Sequence, residues 1–175
     1  MRKLLFQGMI RRPLTERPPL PSDAAADELA TALDRAGRQR LGRSLSIRHV
    51  DAGSCNGCEL EVQALNNAFY DIERFGIRFV ASPRHADVLF VTGPVTRNMR
   101  EALELTYRAT PDPKWVVAIG DCALDGGCFA GSYAVVGGVS AVVPVDLHIP
   151  GCPPTPTAIL RGLLALLEQS SARQG

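Results

Sequence analysis

No apolar run in this chain reaches the roughly 18 residues that a membrane-spanning helix needs, so the sequence offers no candidate span. Aromatic residues are only 6% and the formal net charge is +1, which leaves neither the stacking side chains nor the basic field of a nucleic-acid surface. A phosphate-cradling loop is missing too. Val136-Gly137-Gly138-Val139 lacks the lysine and the strand-to-helix setting that such a loop requires. The basic start of the chain has no long apolar segment: Gln7 and Gly8 interrupt it, Arg11 and Arg12 follow, and no small-residue cleavage site comes next. A secretory signal is therefore not expected, and the chain is expected to stay in the cytoplasm. Cysteines number five, an odd count in a compartment that keeps thiols reduced. Metal binding or catalysis is then favoured over a disulfide framework.

What is present is a chain of 175 residues, a length for one domain with a real core. Residues 1–22 are basic and rich in proline and read as an extended arm with Leu4, Leu5, Phe6, Met9 and Ile10 as a contact surface. Ser22 is placed to cap a helix over about 24–38, with Leu29 and Leu33 as a narrow apolar stripe that packs on a neighbour. From Ser46 the pattern alternates between strands and helices. Strands are expected at Ser46–Val50, Ile77–Ala81, Val88–Thr92, Trp115–Ile119 and Val142–Leu147, and helices near 57–70, 96–109 and 155–169. Such alternation predicts a doubly wound α/β domain with a mostly parallel sheet, flavodoxin-like in outline. The expected division is an arm and helix over 1–45 and the α/β domain over 46–175.

Ligands of open parallel sheets collect beyond the carboxyl ends of the strands. Cys55 and Cys58 fall in the loop after the first strand, Cys122 just past Gly120, and Cys152 in Pro150-Gly151-Cys152-Pro153-Pro154. Three loops thus bring four thiols to one sheet edge. Glycines at 53, 57, 120 and 151 allow tight turns whose amides can face sulfur. Cys58 opens a helix, whose positive end favours a thiolate or a negatively charged cluster. An iron–sulfur cluster, a zinc ion and a set of plain thiols all remain open on spacing. Zinc sites usually close with two compact pairs, whereas here 63 residues separate Cys58 from Cys122 and 29 separate Cys122 from Cys152. Cys128 stands six residues after Cys122 and reads as a free or packed thiol.

Five segments run in order: Cys55-Asn56-Gly57-Cys58-Glu59, Ser82-Pro83-Arg84-His85-Ala86-Asp87, Thr92-Gly93-Pro94-Val95-Thr96, Gly120-Asp121-Cys122-Ala123, and Pro150-Gly151-Cys152-Pro153-Pro154-Thr155-Pro156. Over about residues 46–169 the chain resembles the small subunit of group 4 membrane-bound [NiFe]-hydrogenases of the formate hydrogenlyase type. That superfamily includes the 20 kDa-type subunit of respiratory complex I, an NADH–quinone oxidoreductase. Complex I subunits of this type carry adjacent cysteines where this chain has Cys55-x-x-Cys58, and the Cys-Asn-Gly-Cys-Glu form resembles the hydrogenase branch.

The resemblance implies one proximal [4Fe–4S] cluster on Cys55, Cys58, Cys122 and Cys152. It implies a hetero-oligomer with a large hydrogenase-like subunit, a ferredoxin-like iron–sulfur subunit and integral membrane subunits. The chain would then be peripheral, on the cytoplasmic side of the membrane, and part of an oxidoreductase whose catalytic metal lies in another subunit. Arg84, His85 and Asp87 become candidates for the large-subunit interface, and Glu59 for proton traffic or for favouring its helix N-terminus. The alternatives are the 20 kDa-type subunit of a complex I-like NADH–quinone oxidoreductase and a zinc-stabilised interaction module.

Overall fold

A computed structural model describes residues 23–172. The N-terminal arm and the capping role of Ser22 lie outside the described residues. The first helix, α1, spans Asp23–Leu41. A six-residue strand β1, Ser46–Asp51, leads through the first cysteine loop into α2, Gly57–Ala64. The short strand β2, Arg78–Phe79, is followed by β3, Val88–Thr92, and β4, Val95–Thr96, which runs straight into α3, Arg97–Ala109. Strand β5, Trp115–Ile119, delivers the one-turn helix α4, Asp121–Asp125. The chain ends with β6 at Val135–Gly137, β7 at Leu147–Ile149 and α5 at Pro156–Ala172.

Strands β2, β1, β3, β5 and β7 lie in that order in one sheet, with every pair parallel. The order doubles back once, between β1 and β3, as in flavodoxin-like folds. Both central strands, β3 and β5, are buried at every position. Such continuous apolar runs are what a parallel strand covered on both faces requires. Alternate residues feed two cores. Ile47, Phe90, Val117 and Ile119 meet α1, α2 and α5 through Leu33, Val62 and Ile159. Leu89, Val91, Val116 and Ala118 meet Leu103 of α3 and Ala123 of α4 on the other face. The α/β doubly wound architecture expected from the alternation is the observed one.

The stripe of Leu29 and Leu33 packs against α5 and the shared core of the same chain. Several boundaries differ from the sequence reading. Strand β2 keeps only Arg78 and Phe79, because this edge strand pairs with β1 at just two positions. The expected strand at 142–147 is displaced to Leu147–Ile149. Pro144 has no N–H to give a ladder, and Val139–Ala141 form a 3₁₀ turn instead. Pairing with β5 begins through Asp146, whose carboxylate accepts from Val116 N–H at 2.8 Å. Helix α2 stops at Ala64. The Asn67 side chain then captures the N–H groups of Phe69 and Tyr70 at 2.8 and 3.0 Å and turns the chain. The small antiparallel pair β4–β6 has no counterpart in the sequence reading. Thr155 caps α5, its hydroxyl accepting from Ala158 N–H at 3.2 Å.

Asp87 has a structural task. It is 3% exposed, accepts from both terminal nitrogens of Arg43 and from Ser46 N–H at 2.9 Å, and so ties the start of β3 to that of β1. Buried and paired, it is no interface residue, which corrects the expectation drawn from the Ser82–Asp87 segment.

Leu33 is fully buried between α1 and the sheet. Leu33→Ala is expected to lower unfolding stability by about 2–5 kcal/mol, the range for a leucine-sized cavity. Urea titration followed by circular dichroism checks this; a loss below about 0.5 kcal/mol would show that α1 does not belong to the folding unit.

Candidate metal centre

The register aligns the strand ends. Asp51 lies opposite Thr92, Thr92 opposite Ile119, and Ile119 opposite Ile149. The four loops that follow these residues therefore leave the sheet side by side. Between them lies a cavity of about 90 Å³, lined by Ser54, Cys55, Gly57, Cys58, Gly93, Pro94, Asp121, Cys122, Gly151, Cys152 and Pro153. All four expected thiols face this one space, at the point where the strand order doubles back.

Local geometry explains how they arrive. Asp51 closes the first loop, its Oδ1 accepting from Gly53 and Ser54 N–H at 2.8 Å each. Asn56 adopts a left-handed conformation, φ 73°, and aims α2 so that Cys58 falls in its first turn. Asp121 joins the other two loops: its N–H donates to Gly151 O at 2.9 Å and its Oδ1 accepts from Gly151 N–H at 2.8 Å. His148, in β7, has Nε2 3.0 Å from Gly120 O. The Cys152–Pro153 peptide is cis.

Backbone comes unusually close to sulfur. A Cβ on Gly120 would stand 2.6 Å from Cys58 Sγ, and one on Gly127 would stand 2.7 Å from Cys122 Sγ. Side chains at these positions would fill the space that sulfur occupies. Burial, followed by the negative charges of Glu59, Cys122, Cys152 and Cys55, pushes the Cys58 thiol up to about 12. Burial is also the main cause that raises Cys122, while the backbone N–H of Cys128 lowers it by donating to its sulfur. Thiols so placed resist ionising on their own, and a bound metal reverses that balance. Among the described residues, no three His, Cys, Asp or Glu side chains form a group that could hold a metal ion. Cys55, Cys58, Cys122 and Cys152 share the lining of one cavity.

Glu59 follows Cys58 in the first turn of α2, is 4% exposed, and neither carboxylate oxygen has a hydrogen-bond partner. Arg84 and His85 sit on an exposed 3₁₀ turn packed near α3, and neither lines the cavity. Asp51, Gly93 and Asp121 are site residues that sequence reading did not single out. Aspartate next to a glycine or cysteine loop was the available signal. Cys128 is an exposed free thiol and does not line the cavity.

A doubly wound parallel sheet with a thiol-ringed cavity at its switch point is the class to which fold and site assign this chain. Within that class it belongs to the family described as NADH ubiquinone oxidoreductase, 20 Kd subunit, whose family model matches residues 55–166. It is 44% identical over 159 residues to formate hydrogenlyase subunit 7 of Escherichia coli, covering 89% of this chain and 62% of that relative. The chain therefore spans less than two thirds of that protein's length. It is 50% identical over 129 residues to a probable membrane-bound hydrogenase subunit of Pyrococcus furiosus, covering 74% of this chain and 77% of the other. Among solved structures it resembles a chain of the membrane-bound sulfane sulfur reductase, an archaeal respiratory membrane complex. That match has a TM-score of 0.67 and 34% identity over 82% of this chain and 77% of the other. A chain of an NAD+-reducing [NiFe]-hydrogenase shares the fold, with a TM-score of 0.56 at 22% identity over 73% of this chain and 93% of the other. No helix among the described residues is long and apolar enough to cross a membrane.

Gly120→Ala is expected to keep the far-ultraviolet circular dichroism of the chain but to lose most bound iron, because the new methyl group claims the position of Cys58 Sγ. Iron content at wild-type level would refute the steric argument. A second prediction concerns His49, whose Nε2 lies 3.0 Å from Thr92 Oγ1. Burial, outweighing the charges of Glu59 and Asp51, holds its imidazole below the ordinary value of 6.5. The fold favours the neutral ring, so its contribution to stability is present above 6.5 and is lost as pH falls from there through the lower folded-state value. The urea midpoint of the cluster-free chain should fall between about pH 7 and about pH 5, and less steeply in His49→Gln. Equal slopes in the two proteins would remove His49 from the account.

Proposed function

We propose that this chain is the electron-transfer subunit of a membrane-associated, hydrogenase-like oxidoreductase complex, and that Cys55, Cys58, Cys122 and Cys152 hold one [4Fe–4S] cluster. The observation that carries the proposal is the single cavity ringed by all four thiols. Sulfurs spread around a space suit a body several atoms across, whereas a zinc ion bonded at about 2.3 Å draws its four sulfurs to one point. A bound cluster supplies one-electron chemistry at a potential set by its surroundings. The chain's own residues do the setting. Gly120 and Gly127 let the backbone approach sulfur, the Cys128 N–H draws charge from the Cys122 sulfur, and the N-terminal end of α2 favours negative charge at Cys58. Asp51 and Asp121 fix the loops, so that the thiols need not reorganise when electrons pass.

Partners follow from the surface and from the relatives. Leu124, Phe129, Tyr133 and Val136 are exposed on the segment that follows Cys122. They support docking of a large, hydrogenase-like subunit beside the site, with Arg84 and His85 as further exposed contacts. An obligate interface above roughly 2,000 Å² is expected. Ferredoxin-like and integral membrane subunits complete the complex in this reading, and the chain sits peripherally on the cytoplasmic side. The Cys55-x-x-Cys58 spacing and the two hydrogenase relatives favour this branch over the complex I-like one. A second reading has the same site serve a sulfur-reducing complex, supported by the 34% identity to the sulfane sulfur reductase chain. Nickel analysis of the co-purified complex separates the two readings.

Anaerobically purified chain is expected to be brown, to bleach with dithionite, and to contain about four iron and four sulfide per chain. Cys122→Ala and Cys152→Ala should each abolish that colour, while Cys128→Ala retains it. A colourless protein holding one zinc ion, or equal loss in all three variants, would overturn the assignment.

A further inference from the structure

A second opening lies away from the thiols. It is a groove of about 480 Å³ walled by Arg97 and Arg100 of α3 and by Val135 and Val136 of β6. Backbone pairing brings these four residues together. Strand β4 pairs antiparallel with β6, Thr96 opposite Val135, and runs straight into α3. Arg97 N–H then donates to Ala134 O at 2.8 Å, which fixes the first residue of α3 beside β6. Arg100 follows three positions later and so shares a helix face with Arg97. Gly93 and Pro94, which line the thiol cavity, lead directly into β4, so one short run of chain joins cavity and groove. Charge on the helical wall is unbalanced within the chain. Both arginines are exposed, and the first turn of α3 holds no acidic residue. Arg100 Nε donates to Glu104 Oε1 at 3.1 Å, an exposed pair one turn away. Arg97 has no ion pair among the described residues. The other wall is apolar, and Val136 belongs both to it and to the exposed segment that follows Cys122.

We infer that this groove receives an acidic loop of the large partner subunit: an aspartate or glutamate seated on Arg97 and Arg100, with an apolar neighbour against Val135 and Val136. The inference rests on the assembly proposed above and adds the chemistry of one contact within it. A carboxylate fits the planar fork of a guanidinium through two parallel hydrogen bonds, which a neutral side chain cannot reproduce. Arg97 offers that fork without first giving up an internal ion pair, while Arg100 shares its own with Glu104. The apolar wall favours a carboxylate carried next to an aliphatic or aromatic side chain over a free, fully hydrated anion. Continuity of Val136 with Leu124, Phe129 and Tyr133 makes the occupant a protein, because one partner surface then covers the apolar segment and enters the groove. Two arginines on one wall also reject a basic loop, so the groove sets which surface docks and in which orientation.

The test uses the complex that co-purifies with the affinity-tagged full chain. A water-soluble carbodiimide joins a lysine amine to a carboxylate it touches, with loss of one water, and leaves arginine unchanged. Complexes carrying Arg97→Lys or Arg100→Lys are expected to yield, by tandem mass spectrometry, a cross-link from the substituted position to an Asp or Glu of the large subunit. The wild-type complex should yield none from either position. Arg97→Glu is expected to lower recovery of the large subunit by about tenfold, with unchanged far-ultraviolet circular dichroism because the side chain is exposed. Replacing the cross-linked partner carboxylate by lysine should restore recovery in that background. In an intact complex, cross-links confined to Glu101 or Glu104 of the same chain, or none at all, overturn the acidic-loop contact and leave the assembly standing. A tagged chain that brings down no large subunit defeats both. Anionic lipid is the competing occupant. If the full chain sediments with vesicles of phosphatidylcholine and phosphatidylglycerol in equal parts, and Arg97→Gln with Arg100→Gln does not, the groove belongs to a lipid surface and the inference falls.

Discussion

Everything at the site depends on parallel hydrogen bonding in register. Asp51, Thr92, Ile119 and Ile149 stand in one row across β1, β3, β5 and β7 because each strand is paired in parallel with its neighbour. An antiparallel pair would send alternate loops to opposite ends of the sheet and divide the cysteines between them. Parallel pairing sends all four loops the same way, and the reversal of strand order between β1 and β3 opens the crevice they share. The buried apolar runs of β3 and β5 hold the register, since a slip of one residue would exchange the faces that meet α3 and α5. Core packing and thiol geometry are therefore one constraint, not two.

That constraint brings the loops to the same edge but does not finish the site. The final approach is made by glycines at Gly120 and Gly127 and by the two aspartates, Asp51 and Asp121, that accept backbone N–H groups. The aspartates replace flexible loop ends with closed rings of hydrogen bonds. Glu59 is the exception to this satisfied network. Two buried acceptor oxygens without partners carry an unfavourable term on the order of 1–3 kcal/mol, directly beside Cys58.

Much of this was legible in the sequence. Five-residue apolar runs such as Val88–Thr92 and Trp115–Ile119 read as buried parallel strands because their burial leaves no polar alternation to confuse them. The glycine-flanked cysteines pointed to one edge for the same reason. Other features were hidden by their physics. The run around Val142 looks like a strand, but Pro144 and a 3₁₀ turn move the pairing to Leu147. Asp51 and Asp121 resemble ordinary turn residues until their acceptors are seen to close two separate loops. The turn after Cys122 depends on positive φ at Gly126 and Gly127, which a Gly-Gly pair permits but does not dictate. Arg84 and His85, interface candidates within a recognisable segment, lie on an exposed turn near α3 and do not line the cavity.

The placement of exposed apolar side chains links the site to assembly. Leu124 lies in the helix that carries Cys122, Phe129 follows Cys128, and Tyr133 and Val136 continue the same segment; Tyr133 is 88% exposed. A partner seated on this segment would bury apolar surface, which is favourable at roughly 25 cal/mol per Å², and would remove water from around the exposed Cys128. The segment from Asp121 to Val136 joins site and surface, because it supplies one cysteine of the cavity lining and four exposed apolar side chains.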